Sequence, residues 1–361
     1  MANSGVNGGK VRVEGIQTVV PTKPTDPRQL SSRIAATVIS STAALQRRFH
    51  VVLCYNKASS DDSGWVVAGR IKESLGRAMQ EQPLLAGRLR WCQETDNFLQ
   101  IVSNDSGARL VESKAEMELG AFVAMEEKRE ALAQLVFWED LLHHTPHFSP
   151  LFYVQVTNFR CGGYSIGISC SLLLADPFAL TAIIKKWANL HSKLVSTNEI
   201  PQIPTFYLPN HGTPPSSPSL LMGSNTAKDA AESVIFKIPA KVLDSDSKNL
   251  AALCVQEAER DVGRELAPSL SLLVKVTSSD EDDRVEAWSR QGLLECLKLG
   301  YSVNGMRCAR TWDELGLDSI CFSEGNKPVY ASCWINSVVD EGSVIVVPSV
   351  DQGVQVVVTY T

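Results

Sequence analysis

The sequence predicts an α/β fold in two domains, with mixed sheets flanked by helices. Three observations lead there. The 361 residues correspond to two domains at roughly 150 residues each. Strand-like apolar runs alternate with helix-periodic segments on both sides of one proline-rich stretch. Hydrophobic residues make up 44% and charged residues 20%, a balance that excludes a disordered chain.

The elements follow in chain order. Val11 to Val20 reads as a strand, closed by Pro21 and Pro24. His50 to Tyr55 is a second apolar strand. Trp65 to Gln80 has helix periodicity and stops before Pro83. Arg88 to Cys92 and Phe98 to Val102 are short strands. Ala115 to Val136 is laced with Glu and Lys and reads as helix-rich. Leu151 to Phe159 is a strand, and Tyr164 to Leu174 a buried one. Asp176-Pro177 then starts a helix running to Leu194. Asp at the N-cap accepts from an unpaired backbone N–H, and Pro at the first helical position loses no hydrogen bond.

Six of the 17 prolines fall between Pro201 and Pro218, which forbids helix or central strand there. The expected division is a first domain over 1–198, a crossover linker over 199–230 and a second domain over 231–361. In the second, Val234 to Ile238 reads as a strand and Ser247 to Val262 as a helix. Strands follow near Leu270 to Val276, Val329 to Trp334, Val344 to Pro348 and Val354 to Tyr360. The acidic run Asp280 to Asp283 lacks calcium-loop spacing and reads as a solvated loop.

Composition narrows the partners. Lys plus Arg number 34 against 40 Asp plus Glu, so the charge of −6 argues against a dedicated nucleic-acid binder. The nine cysteines show no CxxC pair and several sit in apolar runs, which favours a reducing, cytoplasmic setting. The polar N-terminus has no apolar signal core. The most apolar window, Ile166 to Ile184, is broken by Asp176-Pro177, so no membrane span is expected. No metal or bound cofactor is expected, and the chain is expected to be a monomer.

Spacing alone offers three candidate sites. Gly163-Tyr164-Ser165-Ile166-Gly167 fits a GxSxG nucleophile elbow, which would make Ser165 a hydrolase nucleophile. The apolar strand pattern runs on through Ser169, which disfavours the required sharp turn. His143, His144 and His147 offer three imidazoles as a candidate zinc site, but Pro146 prevents one helical face. Cys170 has no base or cation beside it in sequence and reads as a core thiol.

Several blocks carry a resemblance to a known family. Thr18-Val19-Val20-Pro21, Pro83-Leu84-Leu85-Ala86-Gly87-Arg88-Leu89, Pro150-Leu151-Phe152, Val154 to Thr157, Cys161-Gly162-Gly163 and Lys186-Trp187-Ala188 occur in order. Together they resemble the plant BAHD acyltransferases over most of residues 11–195. The resemblance implies a chloramphenicol-acetyltransferase-like fold, with acyl-CoA and an alcohol or amine meeting in a channel between two domains. It implies a general-base histidine in an HXXXD motif and a structural DFGWG motif.

Here the HXXXD window reads Leu172-Leu173-Leu174-Ala175-Asp176, with leucine where the histidine stands. Loss of a general base typically costs about 10²–10⁴ in rate. The DFGWG window reads Phe322 to Pro328, in which Phe322, Gly325, Lys327 and Pro328 fit the motif. Cys170, Leu172 and Leu174 are candidates to line the channel. Asn104 to Gly107, Phe148-Ser149-Pro150 and Glu324 to Pro328 look most like the eceriferum, or cuticular-wax, clade. That likeness implies a protein without acyltransferase catalysis that assists very-long-chain fatty acid elongation. It would bind an acyl chain or a fatty-acid elongase condensing enzyme at the endoplasmic-reticulum surface. The alternative is a CoA-dependent acyltransferase with a substitute base, drawn from His143, His144 or His147. The chain is short for the family, and a reduced second domain with a loosely packed sheet is expected.

Overall fold

A computed structural model describes residues 11–26, 31–36, 42–57, 64–92, 98–142, 145–200, 231–239, 246–276, 282–336, 338–349 and 353–360. The proline-rich stretch and His143-His144 lie outside the described residues. The first part contains β1 (Val11–Val19), β2 (Ser31–Ala36), α1 (Thr42–Gln46), β3 (Arg48–Tyr55) and α2 (Gly64–Glu81). Next come β4 (Arg88–Trp91), β5 (Phe98–Val102), β6 (Ala108–Ala115), α3 (Leu119–Ala124) and α4 (Arg129–Ala133). They lead into β7 (Phe152–Asn158), β8 (Tyr164–Ser171) and α5 (Pro177–Ser196). The rest comprises β9 (Glu232–Ile238), α6 (Ser247–Val262), β10 (Ser269–Val274), β11 (Asp283–Ser289), α7 (Arg290–Leu294) and β12 (Arg307–Ala309). It closes with β13 (Tyr330–Ile335), β14 (Glu341–Pro348) and β15 (Val354–Tyr360).

Among the described residues these strands form two mixed sheets flanked by helices. The first runs β1-β6-β7-β8-β3-β13, with β6 parallel to β7 and its other pairs antiparallel. The second runs β12-β9-β15-β14-β10-β11-β2-β5-β4. Sequence pattern explains position within them. β7 and β8 are apolar runs buried on both faces and sit centrally. β1 alternates half-buried and exposed residues and lies at an edge.

The strands do not respect the linear division of the chain. β13, from beyond the proline-rich stretch, pairs with β3 in the first sheet. β2, β4 and β5, from before it, enter the second through the parallel β2–β11 pair. Each sheet is thus completed by the other half of the chain.

Three expectations need correction. Residues 108–115 form a strand, β6, and the region to Val136 holds only two short helices. The buried strand expected to run to Leu174 ends at Ser171. The acidic run is not wholly solvated: Asp283 begins β11 and is 9% exposed, because Lys275 neutralises it. Asp280 and Glu281 lie outside the described residues.

The core falls into three clusters. The largest joins α2, α5, one face of the first sheet and residues Ile235, Leu273, Ile345 and Val357 of the second. A second cluster packs α6 against the opposite face of the second sheet, where Val344, Val356 and Val358 are fully buried. That packing is closer than the expected loose sheet. A third puts α3 and α4 on the far face of the first sheet. No described helix is long and apolar enough to cross a membrane.

Candidate functional site

The loop between β8 and α5 is built by backbone bonds. The Ser171 N–H donates to the Leu151 carbonyl at 2.9 Å, and the Leu172 N–H to the Arg47 carbonyl at 3.0 Å. The Leu174 and Ala175 N–H groups fold back on the Ser171 carbonyl at 3.0 and 3.2 Å. Asp176 then caps α5: its Oδ1 accepts from Phe178 N at 2.9 Å and Ala179 N at 3.0 Å. Such a cap is worth about 1 kcal/mol, with Pro177 at the first helical position adding a preset backbone angle.

Leu172 is 1% exposed and belongs to the largest core cluster. Its burial contributes about 1.5–3 kcal/mol of hydrophobic stabilisation, and its side chain can move no proton. Leu174 is half-buried against the same cluster. Cys170 is fully buried, and burial pushes its thiol up to about 12, so no reactive thiolate forms at neutral pH.

Two cations, the buried Arg47 and the half-buried Lys275, brace this loop. The Lys275 ammonium donates to the Leu173 carbonyl at 2.8 Å and pairs with Asp283 at 2.7 Å. The second Asp283 oxygen accepts from Val276 N at 3.1 Å. Arg47, between α1 and β3, is 3% exposed. Its guanidinium donates to the carbonyls of Asn336 at 3.2 Å, Glu341 at 2.6 Å and Gly342 at 3.0 Å. Burial lowers its pKa to about 10, partly offset by Glu341, so it stays charged at neutral pH. Arg47 and Lys275 therefore tie strands of both halves to the loop around Leu172.

A cleft of about 460 Å³ is walled by Trp312, Asp313, Leu317, Asp318 and the β13 residues Ala331 to Cys333. The Trp312 ring packs 5.2 Å from Phe49 and 6.4 Å from Phe178, the second residue of α5. Phe49 in turn is paired across the sheet with Cys170. The volume is in the range of small-molecule sites.

The other predicted residues lie elsewhere. Ser165 sits mid-strand in β8 at 0% exposure, not at a strand-to-helix turn, so the nucleophile-elbow reading is corrected. The glycine that completes its motif has a packing reason: a Cβ on Gly167 would run into the Leu135 carbonyl oxygen. His147 is exposed, its ring 4.2 Å from Phe148. No hydrogen bond, ion pair or ring contact among the described residues joins a histidine to the loop at 171–176. His50 instead bonds Ser169 at 2.8 Å, and His191 bonds Ser74 at 2.8 Å. No described group of three or more His, Cys, Asp or Glu could hold a metal ion.

In the second motif window Phe322 is 1% exposed, with ring centroids 4.9 Å from Trp187, 5.5 Å from His191 and 6.3 Å from Tyr55. Gly325 has φ +70° in the turn closed by the Ser323–Asn326 bridge, a conformation that favours glycine. The Asn326 side chain donates to the Asn56 carbonyl at 3.0 Å, which fastens the turn to the end of β3. Lys327 is exposed and Pro328 half-buried.

Arg47, Lys275, Asp283, Glu341 and the Trp312 cleft are not legible from spacing. The one local sign is that Arg47 and Lys275 border apolar strands, where a lone charge needs a partner.

A family model described as "Transferase family" matches residues 9–259. The chain is 30% identical over 123 residues to "Protein ECERIFERUM 26-like" of Arabidopsis thaliana, which is 33% of this chain and 27% of that protein. It is 26% identical over 184 residues to a hydroxycinnamoyltransferase of Narcissus pseudonarcissus, 50% of this chain and 39% of that protein. These matches thus span well under half the length of either relative. Among solved structures, vinorine synthase aligns with a TM-score of 0.49 at 15% identity, covering 97% of this chain and 95% of that one.

Proposed function

We propose, for a chain that belongs to the Transferase family of BAHD-type plant acyltransferases, that it transfers an acyl group from acyl-CoA to an alcohol or amine without a histidine base at position 172. The observation that carries this reading is the loop itself. Its backbone bonds, its Asp176 cap and its braces from Arg47 and Lys275 are all in place around Leu172. A frame that could hold a base is in place, and the residue it holds, Leu172, has no titratable atom. Transfer is therefore expected to be slow, short by the roughly 10²–10⁴ that a general base supplies.

The test is release of free CoA thiol by the purified chain. Short, aromatic and very-long-chain acyl-CoA donors are each offered with alcohol and amine acceptors. Slow acceptor-dependent release is expected, and Leu172→His should raise it about 10²-fold or more. No acceptor-dependent release from either protein would overturn the reading.

A second reading is favoured by the buried, non-ionisable Leu172 together with the likeness to "Protein ECERIFERUM 26-like". In it the chain binds an acyl chain or a condensing enzyme at the endoplasmic-reticulum surface and assists very-long-chain elongation without catalysis. Co-expression with such a condensing enzyme should then lengthen the fatty-acid profile, and Leu172→His should leave that shift unchanged. An unaltered profile would count against it.

A further inference from the structure

We infer that the cleft between Trp312 and the outer edge of β13 is a binding site for an organic ammonium ion carried on an apolar body. The inference goes beyond the acyl-transfer reading and does not rest on it, because occupancy is measured without turnover.

The floor of the cleft is an open strand edge. β13 is the last strand of the first sheet and pairs only with β3. The Asn336 N–H donates to the Arg48 carbonyl at 3.1 Å, and the register pairs Trp334 with His50 and Ser332 with Val52. Backbone groups alternate sides along an antiparallel strand. Those of Ser332 and Trp334 therefore face β3, and those of Ala331, Cys333 and Ile335 face outward. The Ile335 carbonyl accepts from Ala231 N at 3.0 Å. The backbone groups of Ala331 and Cys333 have no partner among the described residues. Both residues line the cleft, so two unused carbonyl acceptors border it.

Two carboxylates and an indole form the opposite wall. Asp313 and Asp318 belong to successive short 3₁₀ turns, Asp313–Leu315 and Leu317–Ser319. Gly316 joins them at φ +60°, and that left-handed bend brings both carboxylates to one cleft. Asp313 accepts from the Thr311 hydroxyl at 2.7 Å. Neither carboxylate forms an ion pair among the described residues. The nearby cations are Lys237, which is paired with Glu314, and Lys185, whose ammonium lies beside Gly316. No Lys, Arg or His lines the cleft. Burial pushes the Cys333 thiol up, with Asp313 adding to the effect, so the thiol brings no charge of its own at neutral pH.

The acceptors therefore converge on a cation. An ammonium has three N–H donors and no acceptor, which suits two carboxylates and two carbonyls. The half-buried Trp312 ring, held from behind by Phe49 and Phe178, adds an aromatic face for the same charge. Leu317 and Ala331 give an apolar body something to pack against. An anion meets only repulsion here, and a neutral alcohol forgoes the charge. Because Asp313 and Asp318 are exposed, the attraction is sensitive to salt.

The test is calorimetric titration of the full chain with phenethylammonium, and with 2-phenylethanol as its neutral counterpart. At low salt the ammonium should bind about 10-fold more tightly than the alcohol. Asp313→Asn combined with Asp318→Asn should remove most of that advantage and leave the alcohol unchanged. Asp318→Asn alone, at a side chain with no described hydrogen bond, should remove part of it with the melting temperature unaltered. Added salt should weaken the ammonium and not the alcohol. Equal affinity for the two probes, undiminished ammonium binding by the double variant, or no binding of the ammonium would overturn the inference. The acyl-transfer and elongation readings keep their own tests under every one of these results.

Discussion

The two windows that resemble family motifs, 172–176 and 322–328, are held in different ways. In the first, backbone hydrogen bonds and a helix cap shape a loop around a buried leucine. Asp176 still caps α5 and the backbone still folds back on Ser171, yet Leu172 carries no titratable atom. In the second, a buried ring and a tight turn hold the segment. Phe322 is buried among Trp187, His191 and Tyr55, and Gly325 still makes the turn. The contrast is between a segment held by backbone hydrogen bonds and a cap and one held by aromatic packing.

The largest expected effect would sharpen that contrast at its structural end. Phe322→Ala should lower the unfolding free energy by about 3–5 kcal/mol, because a fully buried ring leaves a cavity between α5 and β3. Urea denaturation would read it. A loss below about 1 kcal/mol would mean that the second window is not the anchor described here.

Next comes acid. Burial holds His191, which lies against the Phe322 ring, at about 3, with nearby Arg70 adding to the effect. Burial likewise holds His50 well below its ordinary value, with Arg48 adding. Both are neutral in the folded state, whereas in the unfolded chain they protonate near about 6.5. The unfolded state therefore binds more protons below that pH. The stability they contribute is complete above about pH 6.5 and is lost as pH falls toward about 3. Unfolding free energies at pH 7 and pH 5, at equal ionic strength, should show the fall, and His191→Gln should flatten it. An unchanged value between the two would break the account of buried neutral imidazoles.

The smallest effect belongs to the first window. Asp176→Ala should cost about 1 kcal/mol, the worth of a lost N-cap. A far larger loss would mean that Asp176 carries more than the cap and would weaken the comparison.

Much of the scaffold was legible in the sequence, for local reasons. The apolar runs of β3, β7 and β8, the amphipathic α2 and the Asp176-Pro177 start of α5 declare themselves through periodicity and capping. β6 was hidden because Ala108–Ala115 carries Arg, Glu and Lys on strand positions that face half outward. β11 was hidden because Asp283 looks solvated until Lys275 is placed beside it. GxSxG misled because spacing says nothing about which face of a sheet a serine occupies or what backbone crosses its glycine.

By itself, then, the sequence determined the alternation of strands and helices and the cap of α5. Each depends on residues within a few positions of one another. Only the tertiary structure decided that Arg47 reaches Asn336, Glu341 and Gly342, across 289 to 295 residues of chain. It alone decided that β13 completes the first sheet while β2, β4 and β5 extend the second. Those partners are chosen by which buried polar atoms must be satisfied once the two sheets close on a shared core.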